Sequence, residues 1–76
     1  MRAHIAKVDT VLWSGEAKSL TVPGSEGEMT ILAGHIPLAS ALKPGKITVR
    51  HKDGEECFDI ESGILEVSKD GATVLL

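Results

Sequence analysis

Turn-forming residues recur along this chain about every nine or ten residues, which is the spacing of short strands in a β-sandwich or barrel. No stretch of eleven or more residues has apolar side chains at a helical period. The pattern therefore predicts an all-β fold, with two packed sheets of short strands. The turn signals are Ser14-Gly15, Pro23–Gly27, Ala33-Gly34, Pro44-Gly45, Asp53-Gly54, Ser62-Gly63 and Asp70-Gly71.

Two Asp-Gly pairs predict β-hairpins whose register can be counted from the sequence. An Asp-Gly pair suits the centre of a two-residue type I′ turn, in which both central residues have positive φ. Alternation then places apolar side chains on one face of each hairpin and charged side chains on the other. Counting outward from Asp53-Gly54 pairs Val49 with Phe58, and counting from Asp70-Gly71 pairs Val67 with Val74.

Length and charge exclude several classes of protein. The chain has 76 residues, enough for one domain, 1–76, and its 8 basic and 11 acidic residues give a net charge of −3. A nucleic-acid-binding protein needs a basic surface, so we expect no nucleic-acid partner. The longest stretch without Asp, Glu, Lys or Arg, Met29–Leu42, is too short and too broken by Gly and Pro to span a bilayer.

The single cysteine and the N-terminal residues indicate the cellular compartment of the protein. Cys57 is the one cysteine, so an internal disulfide cannot form and a reducing compartment is expected. The segment Met1–Lys7 has no apolar core and no cleavage pattern of a signal peptide. These features predict a soluble protein that stays in the cytoplasm or an equivalent space.

Few residues offer catalysis or ligand binding. His4, His35 and His51 lack metal-ligand spacing to one another or to Cys57. The segment Gly24–Glu28 lacks the Lys-Ser/Thr pair of a phosphate loop, and its glutamates would repel phosphate. We expect no catalytic, metal or nucleotide site and no cofactor. A small enzyme that uses Cys57 and His35 as a nucleophile pair remains an alternative.

The segment Gly34–Pro37 holds His35 at a corner of the chain. Glycine allows a sharp turn there, and Pro37 prevents continued pairing in a central strand. One interpretation is a turn histidine that hydrogen-bonds nearby backbone. The other is a partner-binding edge that continues through Leu38 and Ser40.

Four segments follow one another in a specific order: Gly24–Met29, Ala33–Leu38, Leu42–Gly45 and Ser62–Val67. In order and spacing they resemble the N-terminal domain of the epsilon subunit of F-type ATP synthase, which is called delta in mitochondria. The resemblance covers nearly the whole chain and implies a small flattened β-sandwich of about ten short, mostly antiparallel strands. Two departures are Ala33, where the family usually has Pro, and the missing second glycine beside Gly63.

The resemblance implies a non-catalytic rotor subunit of a proton- or sodium-translocating enzyme. Such a subunit links the gamma subunit to the c-ring and lies peripherally at the cytoplasmic side of the inner membrane, without entering the bilayer. By motif position, the loop that faces the c-ring contains Ser25, Glu26 and Glu28. The gamma-facing residues implied are His35, Leu38 and Ser40.

Two further expectations concern what the family domain is attached to. The family normally continues into a helical hairpin that carries an inhibitory switch and, in some members, an ATP site. That hairpin lies outside these residues, so we expect neither ATP binding nor self-inhibition from them. The alternative function is a stand-alone β-sandwich interaction module, and self-association of the isolated chain is a further alternative.

Overall fold

Nine β-strands contain most of the residues that the computed structural model describes, which are 1–34 and 37–76. These residues include no helix, and so none long and apolar enough to cross a membrane. The all-β prediction is confirmed, with nine strands where about ten were expected. In chain order the strands are β1 (Arg2–Ala6), β2 (Val11–Glu16), β3 (Ser19–Gly24), β4 (Gly27–Leu32), β5 (Leu38–Leu42), β6 (Gly45–His51), β7 (Gly54–Ile60), β8 (Gly63–Ser68) and β9 (Gly71–Leu75).

The strands form one hydrogen-bonded sheet that is divided into two halves. Strands β2-β1-β9-β8-β5 form the five-strand half, and β4-β3-β6-β7 form the four-strand half. Over the described residues, the halves share backbone pairing at one place, where Gly24 of β3 lies opposite Leu42 of β5. The pairing of β1 with β9 is parallel, and the other pairings in this part of the chain are antiparallel.

Alternate side chains of both halves fill the space between them. Leu20 and Val49 of the four-strand half are fully buried, as are Leu65 and Val74 of the five-strand half. All four belong to one apolar cluster. Burying a side chain of this size contributes about 1.5–3 kcal/mol. Because the backbone pairing between the halves is so limited, side-chain packing is what holds them together.

The β6–β7 hairpin corrects the predicted register. Val49 lies opposite Glu56 rather than Phe58, because the two turn residues are Lys52 and Asp53. A type I′ turn centred one residue later would need positive φ at Asp53, and among the described residues positive φ occurs at glycines alone. The register differs from the prediction by two residues, an even number, so every side chain keeps its predicted face.

The β8–β9 hairpin shows the same correction for the same reason. Val67 lies opposite Ala72 rather than Val74, and the turn residues are Lys69 and Asp70. The glycine after each turn has positive φ, 137° at Gly54 and 151° at Gly71. In both turns the aspartate N–H donates to the side chain two residues earlier: Asp53 N to His51 Nδ1 at 3.2 Å, and Asp70 N to Ser68 Oγ at 3.4 Å.

The turn predicted at Ser14-Gly15 is wrong, because both residues lie inside β2. The chain instead reverses between β1 and β2 at Lys7–Thr10, where Lys7 N–H donates to the Thr10 carbonyl oxygen at 2.7 Å. A Cβ at Gly15 would lie 3.3 Å from the Trp13 ring. This glycine therefore makes room for the indole and does not mark a turn.

Candidate partner-binding surfaces

The β3–β4 hairpin ends in a short acidic turn, which we call the acidic tip (Ser25–Glu28). The two strands stay paired down to the turn residues Ser25 and Glu26. The side chains of Ser25, Glu26 and Glu28 are exposed. The structure therefore brings the three residues that were predicted to face the c-ring to one end of one hairpin. Their contact with a ring stays a prediction.

The acidic tip is attached to the end of β5 by backbone hydrogen bonds. Ser25 N–H donates to the Ala41 carbonyl oxygen at 2.9 Å, and Lys43 N–H donates to the Pro23 carbonyl oxygen at 2.9 Å. These bonds flank Gly24 and Leu42, the strand pair that joins the two halves of the sheet in the described part of the chain. The position of the tip relative to the five-strand half is therefore set by backbone contacts.

The predicted gamma-facing residues lie on β5 and just before it. Leu38 is half-buried and packs against the core, and it lies opposite Val67 of β8. Ser40 is half-buried, and its hydroxyl donates to the Ala41 carbonyl oxygen at 3.0 Å. His35 lies outside the described residues. The role of these three residues in partner contact stays a prediction.

Sequence reasoning missed an apolar row on the outer face of the five-strand half. We call it the outer row, and strand pairing places its members side by side across five strands: Ala41, Ile64, Leu75, Ala6 and Val11. Ile64, Leu75 and Val11 are 56%, 57% and 57% exposed. Ala6 is buried but does not belong to the core cluster, as expected for a residue covered from the outer side.

A sequence signal for the outer row does exist. A strand with one face in water alternates apolar and polar residues, whereas two apolar residues in succession indicate that both faces are covered. Ile64-Leu65 and Val74-Leu75 are such successions. Leu65 and Val74 fill the core, which leaves Ile64 and Leu75 on the outer face.

Side chains with potential for catalysis or metal binding are dispersed in the described part of the chain. Cys57 is exposed on β7, and its Sγ lies 3.7 Å from Thr48 Oγ1. His4 Nδ1 lies 3.4 Å from Ser14 Oγ. Across residues 1–34 and 37–76, no three His, Cys, Asp or Glu side chains group as metal ligands. The proposed pair of Cys57 with His35 extends outside these residues and stays a hypothesis.

His51 connects the two halves of the sandwich through its ring. Its imidazole stacks on the indole of Trp13 from β2, with centroids 5.6 Å apart and planes 25° apart. Nε2 lies 3.3 Å from Glu56 Oε2, while Nδ1 accepts the Asp53 N–H. Because Nδ1 is an acceptor, the neutral ring carries its proton on Nε2 and donates to Glu56. This arrangement gives His51 a structural role.

The sequence matches a family described as ATP synthase, Delta/Epsilon chain, beta-sandwich domain, over residues 1–76. The ATP synthase epsilon chain of Bordetella avium (strain 197N) is 41% identical over 76 residues, which are 99% of this chain and 54% of that protein. The epsilon chain of Bordetella parapertussis is 40% identical with the same coverage. The chain thus spans about half the length of the curated relatives it matches.

Solved structures agree with this match. A chain of the Euglena gracilis mitochondrial ATP synthase (OSCP/F1/c-ring) superposes with a TM-score of 0.87 at 26% identity, covering 96% of this chain and 48% of that one. A chain of the Tetrahymena thermophila mitochondrial ATP synthase central stalk and c-ring has a TM-score of 0.81 at 15% identity, covering 97% and 60%. The second likeness shows the fold alone. Since the family match extends over residues 1–76, this chain belongs to the ATP synthase delta/epsilon family, as its β-sandwich domain.

Proposed function

We propose that this chain is a central-stalk subunit of a proton- or sodium-translocating F-type ATP synthase, where it links the gamma subunit to the c-ring. In this proposal it is a structural part of the rotor with no catalysis of its own. It lies at the membrane periphery, on the cytoplasmic side of a bacterial-type inner membrane. Family membership and the epsilon chains among its relatives support the proposal.

The observation that carries the proposal is the meeting of two different surfaces at Ala41. The Ala41 carbonyl oxygen accepts the Ser25 N–H of the acidic tip, while the residue itself is one end of the outer row. A linking subunit needs two contact surfaces whose relative position does not change under load. Backbone hydrogen bonds between the two surfaces meet that requirement.

The two surfaces suit different partners. The exposed carboxylates of Glu26 and Glu28 can attract and hydrogen-bond polar or basic loops, which is the chemistry required of the c-ring contact. The outer row offers exposed apolar side chains from several strands, which suit the apolar stripe of a helix in gamma. We assign the first surface to the c-ring. We assign the second to gamma. The predicted gamma contact of His35, Leu38 and Ser40 is a separate assignment, because Leu38 and Ser40 alternate with Ala41 along β5 and so lie on the opposite face from the outer row.

Binding of the chain to isolated parts of the enzyme tests this proposal. The chain is titrated by calorimetry into an F1 headpiece that contains gamma and lacks epsilon, and separately into detergent-solubilised c-ring. We expect a 1:1 complex with the headpiece and restored ATP-driven ion pumping after reassembly with the membrane sector. If the chain binds neither gamma nor the ring, the rotor role is wrong and a stand-alone interaction module takes its place.

A further inference from the structure

Strand β7 has a backbone edge without a strand partner in the described part of the chain. It pairs with β6 on one side and ends the strand order on the other, while β2 ends the order at the opposite extreme. The N–H and C=O groups along such an edge are available to another strand. The sandwich is therefore open between β7 and β2.

A groove with an apolar floor runs beside this edge. Its volume is about 500 Å³, and the apolar side chains that line it include Leu12, Phe58, Ile60 and Leu76. Leu12, Phe58 and Leu76 are partly buried and pack against the core. A side chain that enters the groove would cover apolar surface that solvent now reaches. The groove therefore offers an apolar subsite next to free backbone.

The rim of the groove is mainly acidic. Asp59 and Glu61 line it together with one base, Lys7. Elsewhere on β7, Glu55 forms an ion pair with Arg50 at 3.2 Å, and Glu56 accepts a hydrogen bond from the His51 ring at 3.3 Å.

Asp59 and Glu61 differ from Glu55 and Glu56 in their distance from basic groups. In residues 1–34 and 37–76, neither has a basic nitrogen within 4 Å, and Lys46, the cross-strand neighbour of Asp59 on β6, forms no ion pair with it. Two exposed carboxylates beside the free edge therefore favour a partner with basic side chains.

We propose that the β7 edge binds an extended segment of a partner protein, added as a strand, in which basic and apolar side chains alternate. Phe58 and Ile60 face inward on β7, whereas Asp59 lies on the outer face. A strand paired with β7 has the same period of two, so its apolar side chains enter the groove and its basic ones lie beside Asp59 and Glu61. This site is separate from the acidic tip and the outer row, and it does not depend on the rotor role.

The charge of β7 argues against a second copy of this chain as the occupant. Antiparallel pairing of two β7 edges would bring Glu56 and Asp59 of one copy close to the acidic side chains of the other, and in the described residues neither forms an ion pair with Lys or Arg. Like charges on directly facing strands are destabilising. A basic segment removes that repulsion.

A synthetic peptide tests the proposal. Its seven residues alternate Lys and Val, its ends are acetylated and amidated, and it is titrated into the ¹⁵N-labelled chain. We expect amide shifts along β7 and at Leu12, with binding that weakens as salt increases. A Glu-Val peptide should not bind. N-methylation of the peptide's alternate backbone nitrogens that face β7 should abolish binding, because it removes the strand hydrogen bonds.

Two matched variants separate this site from general charge attraction. The double variant Asp59→Lys with Glu61→Lys should weaken peptide binding about tenfold or more. The control, Glu26→Lys with Glu28→Lys, makes the same charge change at the acidic tip and should weaken peptide binding less. The amide spectrum of each variant shows whether it folds. If the variant with lysine at positions 59 and 61 does not fold, Asp59→Asn with Glu61→Gln takes its place. The proposal would be overturned if the two double variants weakened peptide binding equally, or if the amide shifts were confined to the acidic tip. Dimerisation of the chain in sedimentation, through the β7 edge, would overturn it as well.

Discussion

The backbone N–H of Ser25 donates to the carbonyl oxygen of Ala41 at 2.9 Å. The hydroxyl of Ser40 donates to the same oxygen at 3.0 Å. A carbonyl oxygen has two lone pairs, so one acceptor serves a residue of the acidic tip and a residue of β5. Gly24 and Leu42, the pair that joins the two halves of the sheet, lie beside it. Under the proposed function, a force applied to the tip passes directly into the five-strand half.

The assignment of the acidic tip to the c-ring predicts the effect of Glu28→Lys. Glu28 is exposed, so the change should alter the free energy of unfolding by no more than about 0.5 kcal/mol. It reverses the charge that faces the ring, and we expect weaker binding to the isolated c-ring and weaker coupling in the reassembled enzyme. Asp70→Lys, the same charge change in the β8–β9 turn, is the control. Equal losses in the two variants would show that Glu28 has no specific role.

The assignment of the outer row to gamma predicts the effect of Ile64→Ser with Leu75→Ser. Both side chains are more than half exposed, at 56% and 57%, so folding should be retained. Losing two apolar contacts should reduce affinity for the gamma-containing headpiece by about tenfold or more. Leu32→Ser is the matched control, because Leu32 is 56% exposed on β4, in the other half. Calorimetry that finds the double variant as tight as the control would exclude this surface.

Two glycines in equivalent turns predict unequal losses of stability. Gly54 and Gly71 both have positive φ, so alanine at either position is strained by about 1–3 kcal/mol. A Cβ at Gly54 meets no atom within 4 Å, whereas one at Gly71 would overlap the Arg2 carbonyl oxygen. Gly71→Ala should therefore lower the free energy of unfolding in urea by more than Gly54→Ala. Equal losses would mean that β1 shifts to accommodate the new Cβ with no loss of stability in the parallel β1–β9 pairing.

The contacts of His51 predict a stability loss that another histidine should not share. His51→Ala removes the stack on Trp13, the acceptor for Asp53 N–H and the bond to Glu56, which together should cost about 1–3 kcal/mol. The fluorescence of Trp13, the only tryptophan, should change as well. His4→Ala removes one 3.4 Å contact with Ser14 and should cost less than about 1 kcal/mol. Comparable losses in the two variants would contradict the bridging role of His51.

Strand faces could be read from the sequence more reliably than strand register. Ile47 and Val49 alternate with polar residues, and that pattern alone placed them in the core, where both are fully buried. The register depended on which residues form the turn. Asp-Gly suggested the centre of a type I′ turn, but the hydrogen bond from Asp53 N–H to His51 Nδ1 belongs to a turn one residue earlier. The alternation of apolar and polar residues could not distinguish the two turns, because both registers leave every side chain on the same face.

The two candidate surfaces also differ in how far the sequence could predict them. The acidic tip consists of neighbouring residues between two strands, so turn chemistry around Gly24 and Gly27 was enough to place Ser25 and Glu26 at an exposed end. The outer row combines Ala6 with Leu75 through the parallel β1–β9 pairing. No local pattern predicts contact between residues so far apart in the chain.

The sequence by itself determined the all-β class, the faces of the central strands and the exposure of the acidic tip, because these depend on alternation and turn chemistry within a few residues. The tertiary structure alone decided the sheet order, the pairing of Gly24 with Leu42, and the side-by-side placement of the outer row's members. These features depend on which distant strands pair, and that choice is made by the burial of one shared core from both halves of the sheet.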